Sequence, residues 1–173
     1  MAEGNIAILV GPDYEDLEVW YPRLRLEEAG YEVLLVGIGD PHYTGKHGYP
    51  CTVDRQVEEV HAEQLVGIVS PGGWAPDRIR RNERALELVR GVDEAGGMVA
   101  TICHGGWVLI SAGVVKGRRM TSVEAIRDDL VNAGARWEDE EVVVDGNLVS
   151  SQRPPDLPAF AQAMLRVLSE RGG

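Results

Sequence analysis

The first 36 residues constrain the fold more tightly than any other stretch of the chain. An apolar run of strand length, Asn5 to Val10, passes through Gly11-Pro12-Asp13 into a helical pattern from Tyr14 to Ala29, which Gly30 stops. A second apolar run, Tyr31 to Val36, follows at once, so the segment reads as a βαβ unit with two parallel strands. Parallel sheets are covered by helices on both faces, and their strands are therefore continuously apolar rather than alternating. The same rhythm returns in Gly67 to Ser70, the helical Asn82 to Ala95, and Met98 to Ile102. With 173 residues, one such unit of core suffices, and residues 1–173 are expected to form a single α/β domain. The expected architecture is a doubly wound, mostly parallel sheet flanked by helices.

Off that sheet, Tyr43 to Asp54 is rich in Gly, His and Pro and reads as a loop or small β excursion. Glu141 to Asp145 and Leu148 to Ser151 flank Gly146-Asn147 and predict a tight hairpin. Pro154 and Pro155 then open a final amphipathic helix running to about Arg171. The acidic stretch from Trp137 to Glu141 reads as a solvated approach to the hairpin.

Charge and cysteine usage narrow the function classes. A net charge of −11 repels phosphate backbones and anionic lipid, and no basic cluster with interleaved aromatics offsets it, so neither nucleic acid nor membrane is an expected partner. The opening residues lack the pattern of an export signal, which predicts a cytoplasmic protein whose two cysteines, Cys51 and Cys103, are reduced. His42, His47 and His61 lack metal-ligand spacing, and neither a metal nor another cofactor is called for.

The chemistry concentrates in Met98 to Gly106, MVATICHGG. Cys103 follows a buried strand, and Gly105 and Gly106 permit a sharp turn into a helix beginning near Trp107. This is the cysteine form of a nucleophile elbow, which lifts the reactive atom to the carboxyl end of the sheet and aims backbone N–H groups at a developing oxyanion. A free thiol is only about 3% ionised at pH 7, and bringing its pKa to about 5.5 requires roughly 4 kcal/mol. A helix terminus supplies about 0.3 to 2 kcal/mol of that, so a second stabiliser of the thiolate is expected, with His104 and Glu15 as candidates. In that reading Glu15 carries a proton and donates to the sulfur. Cys51, without a motif, is expected to be inert.

Several stretches resemble the PfpI family of the ThiJ/PfpI superfamily: TICHG, PGGWAPD at Pro71 to Asp77, DYEDLE at Asp13 to Glu18, TGKHGY at Thr44 to Tyr49, KGRRMTS at Lys116 to Ser122, and Val142 to Leu157. The resemblance implies a flavodoxin-like, class I glutamine amidotransferase-like fold and a cysteine hydrolase of the intracellular-protease kind with a stress-response role. It implies Cys103 as nucleophile, His104 as base, Glu15 contacting the sulfur, and the amides of Gly73 and His104 as the oxyanion hole. It also implies that Asp77, where the family usually carries Glu, reaches the histidine of an adjacent subunit, in a homo-oligomer that is a dimer or hexamer.

Three readings of function remain open at this level. Attack on a peptide carbonyl gives an acyl-enzyme and proteolysis, whereas attack on an aldehyde gives a hemithioacetal and glyoxalase or deglycase chemistry. A third reading is a non-enzymatic redox sensor or chaperone in which Cys103 is oxidised and the state is read by partners. A glutamine amidotransferase is disfavoured because no histidine follows His104.

Overall fold

The computed structural model describes residues 3–171. In chain order the elements are β1 (Asn5–Leu9), α1 (Asp16–Glu28), β2 (Glu32–Gly37), β3 (His42–Thr44), β4 (Pro50–Thr52), β5 (Arg55–Gln56), β6 (Leu65–Ser70), α2 (Ala75–Ile79) and α3 (Glu83–Glu94). They continue with β7 (Met98–Ile102), α4 (Gly106–Ala112), β8 (Arg119–Met120), α5 (Arg127–Asn132), β9 (Arg136–Trp137), β10 (Val142–Asp145), β11 (Leu148–Ser151) and α6 (Leu157–Arg171). Seven strands form one sheet in the order β10-β11-β7-β6-β1-β2-β5, parallel throughout except for the antiparallel β10.

Burial explains why the central strands read as unbroken apolar runs. Every residue of β7 is buried, and β1 is buried from Ile6 onward, because helices cover both faces. The helices contribute matching stripes: α3 buries Ala85, Leu86, Leu88, Val89 and Val92, and Asn82 caps it by accepting the Ala85 N–H at 3.0 Å. Removing each of these leucine and valine side chains from water stabilises the fold by roughly 1.5 to 3 kcal/mol.

The C-terminal β run is the expected antiparallel hairpin, with Asp145 opposite Leu148 across Gly146-Asn147. The excursion between β2 and β5 is a two-stranded ribbon, β3 against β4, pairing His42 with Thr52 and Thr44 with Pro50. Trp137 departs from the solvated reading. It pairs in β9 with Met120, donates from Nε1 to Ser122 Oγ at 3.0 Å and lies under the Arg127 guanidinium, while Glu138 binds Arg119. Runs of two residues are too short to carry a periodic signal, so β8 and β9 are invisible to pattern reading.

The chain order reverses about β1, which has β2 on one side and β6 on the other. A sheet of this kind opens a crevice beyond the carboxyl ends of its strands at such a reversal. Three connections meet there: 10–15 after β1, 71–74 after β6, and 103–105 after β7.

Candidate active site

The first two of those connections are laced together by backbone. Tyr14 and Gly73 form an isolated antiparallel bridge, Glu15 N–H donates to Gly72 O at 3.1 Å, and Trp74 N–H donates to Asp13 O at 2.8 Å. Gly73 holds φ +80°, and its α-carbon lies so close to the Tyr14-Glu15 peptide that a side chain there would collide with backbone. The lacing leaves the Gly73 N–H free to face Cys103, where it and the His104 N–H both favour negative charge on the sulfur. These are the two amides that the resemblance implies for the oxyanion hole.

Cys103 itself has φ +60°, one of two non-glycine residues in the left-handed region among the described residues. That conformation costs of order 1 kcal/mol or more for an L residue and is held by β7 on one side and α4 on the other. Its Sγ lies 3.3 Å from Nδ1 of His104. The His104 ring sits between two indoles, with centroids 5.5 Å from Trp74 and 5.1 Å from Trp107. Trp107 is fixed in turn by its Nε1 donating to Asp129 at 2.8 Å and by Arg80 over its face. Burial and then the Lys46 charge hold the imidazole pKa below its ordinary value, so the ring is neutral at pH 7.

The carboxyl group facing the thiol belongs to Glu18, one helical turn beyond the residue the sequence suggested. Glu18 is fully buried, and its Oε2 accepts the Gly72 N–H at 2.7 Å. A β-carbon on Gly72 would lie 2.5 Å from that oxygen and 2.8 Å from Cys103 Cβ, so the absent side chain lets carboxyl and cysteine share one space. Oε1 of Glu18 has no hydrogen-bond partner among the described residues. Burial pushes the Glu18 carboxyl up to about 8. Glu15, at the N-cap of α1, is buried too but turns to the β3–β4 ribbon, where Lys46 Nζ binds its Oε2 at 2.7 Å and His47 Nε2 approaches Oε1 to 3.5 Å. The carboxyl beside the sulfur is therefore that of Glu18 rather than the expected Glu15, which is taken up by Lys46.

The expected low thiol pKa needs a correction too. Burial, and after it the Glu18 charge, push Cys103 up to about 12, against the pull of the two amides and Lys46. Two anions in one desolvated space are mutually unfavourable, so Cys103 and Glu18 titrate as a pair, and the loss of the first proton holds back the second.

Asp77 is exposed on α2 and bonds Arg81, just past the end of that helix, at 3.1 Å, with no hydrogen bond or ion pair to the His104 of its own chain. Cys51 is buried in the core and pushed up to about 11 by burial. Glu15, Asp16 and His47 offer ligand atoms within 4.8 Å of one another. Their oxygens are already engaged, however: Asp16 accepts the N–H groups of His47 and Tyr49, both at 2.9 Å, and Glu15 holds Lys46.

A cysteine on a left-handed elbow above the carboxyl ends of a flavodoxin-like sheet, with a buried carboxyl facing it, defines a thiol-centred α/β protein of the ThiJ/PfpI kind. Residues 4–167 match the DJ-1/PfpI family, and the chain belongs to that family. It is 48% identical to Deglycase PfpI of Pyrococcus furiosus, over 95% of this chain and 99% of that one. Protein/nucleic acid deglycase 2 of Escherichia coli is 39% identical over 95% of this chain and 97% of that one. YraA of Bacillus subtilis, named as a candidate cysteine protease, is 40% identical over 95% of this chain and 98% of that one. Among solved structures, DJ-1beta of Drosophila melanogaster superposes with a TM-score of 0.89 at 26% identity, covering 100% of this chain and 92% of that one. No helix among the described residues is long and apolar enough to cross a membrane.

Proposed function

We propose that the chain is a cysteine-dependent deglycase that removes dicarbonyl adducts of the methylglyoxal type from amines and thiols. The observation that carries this reading is the buried Glu18 carboxyl facing Cys103, with an oxygen free of other partners. Such a group, about 8 in pKa, holds a proton at neutral pH and can return it, which suits a reaction that shuttles protons around one small carbon skeleton. Peptide hydrolysis asks for a histidine oriented by a carboxylate, and within one chain His104 is held only by indoles. The relatives named as deglycases support the same choice over the peptidase expectation.

The chemistry balances with the residues at hand. Cys103 Sγ attacks the carbinol carbon of the adduct, giving its thiol proton to neutral His104 as the C–S bond forms, and the C–N bond breaks as the amine leaves with the proton of Glu18. The Glu18 carboxylate then takes the carbinol hydrogen as a proton and returns it to the neighbouring carbonyl carbon, while the hydroxyl proton passes by way of His104 to the carbonyl oxygen, which yields a thioester. The Gly73 and His104 amides would stabilise its oxyanion as water cleaves it to lactate and free thiol. Overall, adduct and water give amine and lactate.

The peptidase reading survives in one form, supported by the exposure of Asp77 and of Trp74 beside it. In a homo-oligomer, Asp77 of one copy would orient His104 of another. The deciding experiment incubates the protein with a methylglyoxal-treated N-acetyl-lysine and with a fluorogenic peptide, following lactate by proton NMR and peptide cleavage by fluorescence, with Cys103→Ser as control. Lactate that disappears in C103S is expected. Peptide cleavage without lactate would replace the deglycase by the peptidase, and turnover of neither substrate would favour the redox sensor.

A further inference from the structure

The site has a second layer that the reaction scheme does not use. The turn between β3 and β4 is folded down onto the N-terminus of α1 and held there by several independent bonds. Asp13 N–H donates to Thr44 O at 3.1 Å, Lys46 N–H donates to Tyr14 O at 2.9 Å, and both oxygens of Asp16 accept turn amides. Tyr14 Oη closes the far side by donating to Tyr49 O at 2.5 Å. A backbone fixed this firmly delivers Lys46 to one place, and its Nζ lies 2.7 Å from Glu15 Oε2. Lys46 is only partly exposed, so its charge is less screened than that of a surface lysine.

The charged and titratable groups facing the thiol are few. Helix α1 offers Glu18 directly and Glu15 behind it, with Asp16 turned to the ribbon. The ribbon offers Lys46, with the exposed His47 beyond Glu15. The elbow offers His104, which is neutral at pH 7. The connection after β6 brings only backbone amides until Asp77, which faces Arg81. Lys46 is thus the fixed cation of the site, and Glu15 is its partner.

We propose that the Glu15–Lys46 pair is a positioning pair that sets the field at Cys103, with Lys46 the counter-charge of the reacting thiolate and Glu15 the brake on it. The influence of Lys46 reaches all three reacting groups: it lowers the pKa of Cys103, of Glu18 and of His104. Glu15 acts against it by raising Glu18 and by neutralising the ammonium. The inference rests on Cys103 being the reacting group, and it assigns opposite signs to two residues that touch each other.

Opposite signs make the test sharp. Thiolate formation is followed by ultraviolet absorbance in the full-length protein, with C103S as the blank, and the pH dependence of iodoacetamide labelling of Cys103 is read by mass spectrometry. Lys46→Gln should raise the apparent titration of the thiol by about one pH unit, the size expected of a fixed charge several ångströms away in partly screened surroundings. Glu15→Gln should lower it by a similar amount, Lys46→Arg should leave it near the parent, and the double variant K46Q/E15Q should fall between the single ones. If E15Q and K46Q shift the titration in the same direction, or neither shifts it, the pair merely tethers the ribbon and the proposal is overturned. A C103S protein that still releases lactate would instead overturn the deglycase scheme, whatever the two variants do.

Discussion

Replacing Glu18 by Gln tests the proton at the centre of the site through stability rather than rate. Gln has the shape of a protonated carboxyl and can still accept the Gly72 N–H that Glu18 Oε2 accepts at 2.7 Å. In the folded chain the Glu18 carboxyl is raised from 4.5 to about 8 by burial, so the folded protein keeps a proton that the unfolded chain has already released. The stability tied to that proton is complete below pH 4.5 and is lost as pH rises to about 8. At 1.36 kcal/mol per unit the loss is on the order of 5 kcal/mol, a large share of an ordinary domain's stability. E18Q carries no such proton. Urea unfolding at pH 5, 7 and 9 should show the variant within about 1 kcal/mol of the parent at pH 5 and several kcal/mol more stable at pH 9. Taking the difference between the two proteins cancels the titrating groups not coupled to Glu18, including His104, whose lowered pKa acts in the opposite sense, and leaves the Glu18–Cys103 pair as its source. Parallel pH profiles for E18Q and parent would refute the claim that Glu18 is held neutral by the fold.

Two other outcomes follow from the same geometry. In sedimentation the protein should be a dimer or hexamer, and Asp77→Ala should assemble normally while losing roughly 10 to 100-fold in turnover if its carboxylate serves a neighbour's His104; a fully active D77A would leave Asp77 only its bond to Arg81. Dilute peroxide should oxidise Cys103 and spare Cys51, because Cys51 is buried in the core whereas Cys103 is partly exposed, and tryptic mass spectrometry that found both modified at equal rates would contradict this.

How far the site could be read from the sequence differs residue by residue. Met98–Ile102 is a strand with the bounds its apolar run predicts, and the Gly-Gly after His104 correctly marks the turn that makes an elbow of Cys103. The βαβ opening is legible for the same reason: a strand buried on both faces has no polar alternation to confuse. The choice among the carboxylates of DYEDLE is harder, because it depends on where the helix begins. Glu15 looked like the inward residue, yet it is the extended N-cap, and helical phase starts only at Asp16. The signal that would have found Glu18 is its spacing: with Pro22 and Leu26 it forms a buried i, i+4, i+8 stripe in which one member is a carboxylate. Lys46 carries no comparable signal, since its place depends on how a short ribbon folds back over α1. Whether Asp77 serves a second copy lies outside any single chain.

The left-handed backbone of Cys103 has a consequence for anyone who would engineer this protein. At φ +60° a glycine would sit without strain, so the reactive residue opposes the relaxed form of its own turn by about 1 kcal/mol. A selection that rewarded only heat resistance would therefore tend to discard position 103 early, returning a tougher scaffold with no thiol at its centre. Libraries built for durability should hold that codon constant and seek their gains elsewhere, on faces such as the exposed Leu17 and Leu24 of α1.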